Sequence, residues 1–197
     1  MRTGILILAA GSASRMQQPK MLLPFGKANI LSHLLDEARA LEPAAICLVT
    51  GYYHDEILSV VVTEGVQVVR NEQWQEGMSG SIRLGLLQLL QQESAMQQLI
   101  ILVSDQPFLT RSLLHNMLQV QQETQKGIIA AGYAEIQGTP VLFTKEYFDQ
   151  LKQLTGDKGA KPILQTHSGD VAVVDFPEGE KDIDTPEDYS KYCTSIK

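Results

Sequence analysis

The sequence predicts an α/β fold with a mostly parallel central sheet and helices on both of its faces. Three observations carry that expectation. Short apolar runs alternate with longer stretches of helical period along the chain. The strongest runs, Ile5 to Leu8 and Leu99 to Val103, are continuous rather than alternating, as suits strands covered from both sides. Helix-start signals fall where the periodic stretches begin.

Taken in order, a first strand is expected over 4–9 and a helix over 30–41. A strand at 46–50 leads to a helix at 54–61, and a strand at 66–69 to a helix at 81–92. The apolar run at 99–103 leads to a helix at 111–122. There Leu113, Leu114, Met117 and Leu118 fall on one face and Thr110 takes the N-cap position. Strands at 127–131 and 139–143 precede helices at 145–153 and 160–166. A final strand at 171–175 precedes a helix that starts at Pro186. In Thr185-Pro186-Glu187-Asp188 the threonine caps, proline sits at the first helical position, and two carboxylates face the positive end of the helix. The Gln-rich patches at 88–98 and 119–125 read as solvated helix faces. No internal repeat and no linker divides the chain, so one domain over 1–197 is expected.

Composition narrows the function. A chain of 197 residues can bury a sizeable core, and 44 % hydrophobic with 20 % charged residues is an ordinary globular mixture. Asp and Glu total 23 against 16 Lys and Arg, a formal net charge of -7. That balance argues against non-specific nucleic-acid binding and against adhesion to anionic lipid, and no apolar run approaches bilayer length. An anionic small molecule stays open, because it feels a local pocket rather than the whole surface. Cys47 and Cys193 offer neither a disulfide framework nor metal-ligand spacing, and neither has a histidine beside it to make a thiol nucleophile. His54 and His115 read as surface helix residues. The early first strand leaves no room for a signal peptide, so a cytoplasmic protein is expected.

In open α/β sheets ligands collect beyond the carboxyl ends of the strands. The first such place is Ala9-Ala10-Gly11-Ser12-Ala13-Ser14-Arg15, with Lys20 five places on. Small side chains let backbone N–H groups surround phosphate oxygens. Arg15 offers a rigid fork of donors and Lys20 a mobile point charge, which suits different phosphoryl groups of a triphosphate. The alternative is a small-residue turn with two solvated cations. Neither GxGxxG nor GxxxxGK[ST] is present. The second place is Asp105 in Ser104-Asp105-Gln106-Pro107, either a carboxylate for Mg2+ or an ordinary turn aspartate. The third is Lys181-Asp182-Ile183-Asp184, where an extended chain points Asp182 and Asp184 the same way and Ile183 opposite. Those aspartates could complete a metal site with Asp105, or Asp184 could only lend charge to the following helix. Between 71 and 81, glycines such as Gly80 can approach a base or sugar closely and Ser79 or Ser81 can donate a hydrogen bond to it, whereas Trp74 is weighted toward packing. The turn at 156–161 is either a plain loop or a second anion contact through Lys158 and Lys161.

Together LAAGSASRMQQPK at 8–20, NEQWQEGMSGSIRLGL at 71–86, SDQP at 104–107, GTPVLF at 138–143, GDKGAK at 156–161 and DIDTPEDY at 182–189 resemble the molybdenum cofactor cytidylyltransferases. The resemblance runs in order over nearly the whole chain. It implies a Rossmann-like three-layer α/β/α nucleotidyltransferase fold, CTP and molybdenum-loaded molybdopterin as substrates, and Mg2+ as cofactor. It implies the cytosine dinucleotide cofactor and pyrophosphate as products, with a molybdenum hydroxylase or its maturation factor as a further partner. Carried over residue by residue, the signature loop falls on Ala9, Ala10, Gly11, Ser12, Ser14 and Arg15, its lysine on Lys20, the DQP aspartate on Asp105, and the C-terminal aspartates on Asp182 and Asp184. LAAG rather than LAGG at 8–11 tilts the base toward cytosine. Gln17 replaces a common glycine, and Lys161 stands where the pattern has arginine, losing the fork that would hold a pterin phosphate. Rival readings are the same transfer onto a sugar phosphate or methylerythritol phosphate, and a non-catalytic accessory that carries the finished cofactor. A dinucleotide-dependent oxidoreductase lacks its glycine fingerprint and ranks last.

Overall fold

The computed structural model describes residues 1–16 and 18–193, so the Gln17 departure lies outside the described residues. The strands are β1 (Thr3–Ala9), β2 (Pro24–Phe25), β3 (Ala28–Asn29), β4 (Ala45–Thr50), β5 (Gln67–Arg70), β6 (Gln98–Val103), β7 (Ile128–Tyr133), β8 (Ile136–Thr144) and β9 (Val171–Asp175). Between them run α1 (Ile30–Arg39), α2 (His54–Val60), α3 (Met78–Gln92), α4 (Arg111–Thr124), α5 (Phe148–Lys152), α6 (Lys161–Thr166) and α7 (Pro186–Tyr192). One sheet has the order β5-β4-β1-β6-β8-β7-β9. Its pairings are parallel except those that β8 makes with β6 and β7. The expected mostly parallel α/β sheet is therefore what the chain forms.

The continuous apolar runs are explained by two cores. Ile5, Ile7, Leu48, Ile100 and Leu102 pack on one face against Leu31, Leu34 and Leu35 of α1 and Leu114 and Met117 of α4. Their neighbours Leu6, Leu8, Cys47, Leu99 and Ile101 pack on the other face against Ile82, Leu86 and Leu89 of α3 and Leu151 of α5. Alternate residues thus serve opposite layers, and no position can be polar. Close packing adds its own requirement: a Cβ at Gly85 would lie 2.2 Å from Leu6 Cδ1, so glycine lets α3 settle onto β1.

Three departures from the sequence expectation have local causes. The two-residue strands β2 and β3 form a hairpin through Gly26 at φ 55°, too short to show any period. The helix expected from 81 begins at Met78, because Gly77 at φ 102° turns the chain into α3 three residues sooner. The helix expected over 145–153 opens as a 3-10 turn, Lys145–Tyr147, before α5. That turn brings the Tyr147 hydroxyl to Asp170, donating to Oδ2 at 2.6 Å. Among the described residues, no helix is long and apolar enough to cross a membrane.

Candidate active site

β1, β4 and β6 end side by side, and the loops after β1, β5 and β6, with the start of α3, Asp157 and Asp184, line a cleft of about 430 Å3. The loop after β1 is held against the end of β4. The Tyr52 amide donates to the Ala10 carbonyl at 3.1 Å. A Cβ at Gly51 would lie 2.4 Å from that same carbonyl oxygen and 2.9 Å from Trp74 Cβ, so a glycine is required there. Ala10, Gly11, Ser12, Ser14, Arg15 and Lys20 line the cleft, and Ala9 is buried beneath it. Gly11 is exposed, with open space where a side chain would be, leaving its backbone accessible.

At one end of the cleft four charged groups interlock. Lys20 Nζ donates to Asp105 Oδ2 at 2.9 Å and to Asp184 Oδ1 at 2.8 Å, and Arg15 Nη2 donates to Asp184 Oδ2 at 2.6 Å. The segment carrying Asp184 is fixed by Ile183, wholly buried, whose amide donates to the Asp105 carbonyl at 3.0 Å. It is fixed again by the start of α7, where Thr185 and Asp188 form a capping box. Burial works to lower the Lys20 pKa, but the Asp105 charge and the hydrogen bonds to both aspartates outweigh it, so the value is raised. Burial works to raise Asp184, and Lys20 and then Arg15 reverse that, so its value is lowered. Asp182 behaves differently. It is not among the cleft-lining residues, its Oδ1 is buried without a hydrogen-bond partner among the described residues, and burial followed by the Asp105 charge pushes its pKa up to about 6.

These carboxylates suit a divalent cation. Magnesium is commonly held by one or two carboxylates and substrate phosphates rather than by a full protein cage. Asp105 and Asp184 supply such a pair of hard oxygen donors about one ammonium nitrogen, and Asp182 adds an unmatched buried acceptor beside them. Among the described residues, no group of three or more His, Cys, Asp or Glu side chains makes a complete cage.

The segment after β5 and the first turns of α3 add Trp74, Gln75, Gly77, Met78 and Ser81 to the lining. Buried Asn71 donates through Nδ2 to Ser81 Oγ at 3.0 Å, so the serine keeps its own proton for a ligand. Trp74 both lines the cleft and packs, edge-on to Tyr52 at 5.3 Å. Gly80 does not line the cleft and sits inside α3, its open side toward Asn71. Lys158 and Lys161 are exposed and away from the lining, whereas Asp157 of the same turn is part of it. Sequence reasoning missed Asp157 and the Gly51 contact. The glycine directly after a strand was the available signal for the second. His54, read as a surface residue, is half-buried, with Nδ1 2.7 Å from Thr50 Oγ1; His115 is exposed.

The model of the MobA-like NTP transferase domain matches residues 5–171. Among curated proteins, the bifunctional protein GlmU of Idiomarina loihiensis is 29% identical over 140 residues, covering 70% of this chain and 30% of that protein. The chain thus spans under a third of the length of the curated relatives it matches. Among solved structures, Rv0371c of Mycobacterium tuberculosis H37Rv aligns with a TM-score of 0.82 and 28% identity, covering 96% of both chains. The same mycobacterial protein in complex with manganese aligns with a TM-score of 0.80 and 27% identity over 100% of both chains.

Proposed function

We propose that this chain, which belongs to the MobA-like NTP transferase family, transfers a nucleotidyl group from a nucleoside triphosphate to a phosphate acceptor. In its full form the reading is transfer of CMP from CTP to molybdenum-loaded molybdopterin, releasing pyrophosphate. The observation that carries the transfer is the meeting of Arg15, Lys20, Asp105 and Asp184 at one end of a cleft floored by small residues. The cytosine and the pterin rest on the sequence motifs described above.

An acceptor phosphate oxygen forms a bond to the α-phosphorus. The bond from that phosphorus to the bridging oxygen breaks, and pyrophosphate leaves with the electron pair. No protein nucleophile is needed, because the attacking phosphate is already anionic, so positioning and charge neutralisation carry the catalysis. Arg15 holds the leaving β- and γ-phosphoryl groups. Lys20, kept cationic by its aspartates, stabilises the charge that grows around the α-phosphorus. Backbone amides of Ala10, Gly11 and Ser12 approach the phosphates, and Ser81 donates toward the nucleoside. Asp105 and Asp184 would hold Mg2+, which supplies neutralising charge to the triphosphate when bound; the manganese complex of Rv0371c supports a divalent ion in this reading.

The acceptor is where a second reading has support. The curated relatives are bifunctional GlmU proteins, which favours the same transfer onto a different phosphate acceptor. One experiment separates the two. The protein is incubated with Mg2+, labelled CTP or GTP, and either molybdenum-loaded pterin or a set of sugar phosphates, and product mass and pyrophosphate are measured. The cytosine dinucleotide with stoichiometric pyrophosphate is expected. Turnover only with another acceptor would replace the pterin assignment, and no pyrophosphate with any pair would overturn catalysis itself.

A further inference from the structure

Among the described residues the cleft has five ionisable lining side chains, and four of them are the interlocked Arg15, Lys20, Asp105 and Asp184. The fifth, Asp157, lines the cleft beside Gly77 at the start of α3. A Cβ at Gly77 would come within 2.6 Å of Asp157 Cα. The turn that carries it is fastened to the start of α3. The Ser79 amide donates to the Gly156 carbonyl at 3.2 Å, Ser79 Oγ donates to the Thr155 carbonyl at 3.1 Å, and Arg83 donates to the Leu154 carbonyl. Gly77 at φ 102° and Gly156 at φ 76° make the close approach possible on both sides. Asp157 is therefore an exposed carboxylate on a firmly held loop, and among the described residues no hydrogen bond or ion pair engages it.

A triphosphate seated on Arg15 and Lys20 would have Trp74, Gly77, Met78 and Asp157 as the remaining lining available to its nucleoside. Among the described residues, Asp157 is the one ionisable side chain on that part of the lining. A carboxylate accepts hydrogen bonds and cannot donate them. Cytosine presents an amino group at C4, a donor that carboxylates accept from, whereas uracil and thymine present a carbonyl oxygen at the same position. Two acceptors facing each other in a partly desolvated cleft repel, so the two pyrimidines are separated both by the bond gained and by the clash incurred.

The geometry points to Asp157 as a base-specificity residue, accepting from the exocyclic amine of cytosine and turning away pyrimidines with a keto group at that position. This inference rests on the proposed cytidylyl transfer and adds to it the residue that reads the base.

Nucleotide binding tests it without an acceptor, because Trp74, the chain's one tryptophan, lines the cleft and its fluorescence reports occupancy. CTP, UTP, GTP and pyrophosphate are titrated, each with Mg2+, into the full chain and into Asp157→Asn and Asp157→Ala. Wild-type protein is expected to bind CTP at least about tenfold more tightly than UTP. Asp157→Asn, whose amide can donate to O4, is expected to lower that ratio by about tenfold, and Asp157→Ala to lower it less. Pyrophosphate affinity serves as the control for a displaced loop and is expected to hold in both variants. A CTP-to-UTP ratio preserved in both variants would overturn the inference, as would parallel losses for CTP, UTP and pyrophosphate. Failure of the underlying reading looks different: wild-type protein that prefers GTP to CTP, or answers to no triphosphate, removes the cytosine assignment and this inference with it.

Discussion

The two ends of the sheet each hold a carboxylate whose pKa is lowered, yet they are built for different purposes. Beyond the carboxyl end of β1, Asp184 is held between Lys20 and Arg15 in an open cleft, with Arg15 69% exposed. Beyond the amino end, Asp170 accepts from the Tyr147 hydroxyl and from the Gly127 amide, tying the start of β7 to the turns after β8 and before β9. The first arrangement brings full charges of both signs together where solvent and ligands reach them. The second spends its single charge on neutral donors. A cluster of opposed charges in a cleft contributes little stability in water and much to an anionic ligand that can replace one partner, whereas a hydrogen-bonded bracket contributes to the fold and offers a ligand little.

That contrast breaks most easily at Lys20. Lys20→Ala is expected to lower turnover by about a hundred- to a thousandfold, with a much smaller change in CTP affinity, because its charge matters most as the transition state forms. Steady-state kinetics with an unchanged rate would take Lys20 out of the mechanism. Gly51→Val probes the same end through shape alone. Its side chain would meet the Ala10 carbonyl and Trp74, displacing the phosphate-binding loop. A loss of about 1–3 kcal/mol in stability together with weakened nucleotide binding is expected, read by denaturant melts and fluorescence titration. Full nucleotide affinity in a folded Gly51→Val protein would show that the loop does not need that anchor.

The other end sharpens the contrast with the smallest effect. Tyr147→Phe is expected to cost about 1 kcal/mol of stability at neutral pH while leaving turnover unchanged, since solvent partly screens Asp170. The hydrogen bond from Tyr147 is the first cause of the lowered Asp170 pKa, ahead of burial, which opposes it, and of the Gly127 amide. A carboxylate with a lower pKa folded than unfolded stabilises above its unfolded value and loses that contribution as pH falls through the folded one. The gap between variant and wild type should therefore narrow on acidification below about pH 4. Thermal melts across pH 3 to 7 that kept the gap constant would assign the loss to packing instead.

The sheet and its helices were readable because burial on both faces writes itself into Ile5 to Leu8 and Leu99 to Val103 as unbroken apolar runs. Arg15, Lys20 and Asp105 were readable because charge in the loop that follows a buried strand is conspicuous, and Asp184 because it is paired with Asp182 across Ile183. Which C-terminal aspartate would face the cations was not. Asp182 and Asp184 have the same spacing from Ile183, and only the tertiary path of the segment sends Asp184 to Lys20 and leaves Asp182 Oδ1 buried without a partner. In the turn at 156–161 the lysines drew attention as anion contacts, but side-chain direction there is set by Gly156 and Gly159 at positive φ, and Asp157 is the residue on the cleft wall. Gly51 and Gly77 left only a faint signal for a related reason: a close approach of two loops marks the sequence by no more than the absence of a side chain.

Arg15 and Asp184 are 169 residues apart, and Lys20 and Asp184 are 164 apart. Strands β1, β4, β5 and β6 therefore leave the ribosome well before the residue that holds both cations. Until Ile183 drops into its slot, Arg15 lacks Asp184 and Lys20 is met by Asp105 alone, so the clamp over the loop after β1 is closed by one of the last segments of the chain to be made.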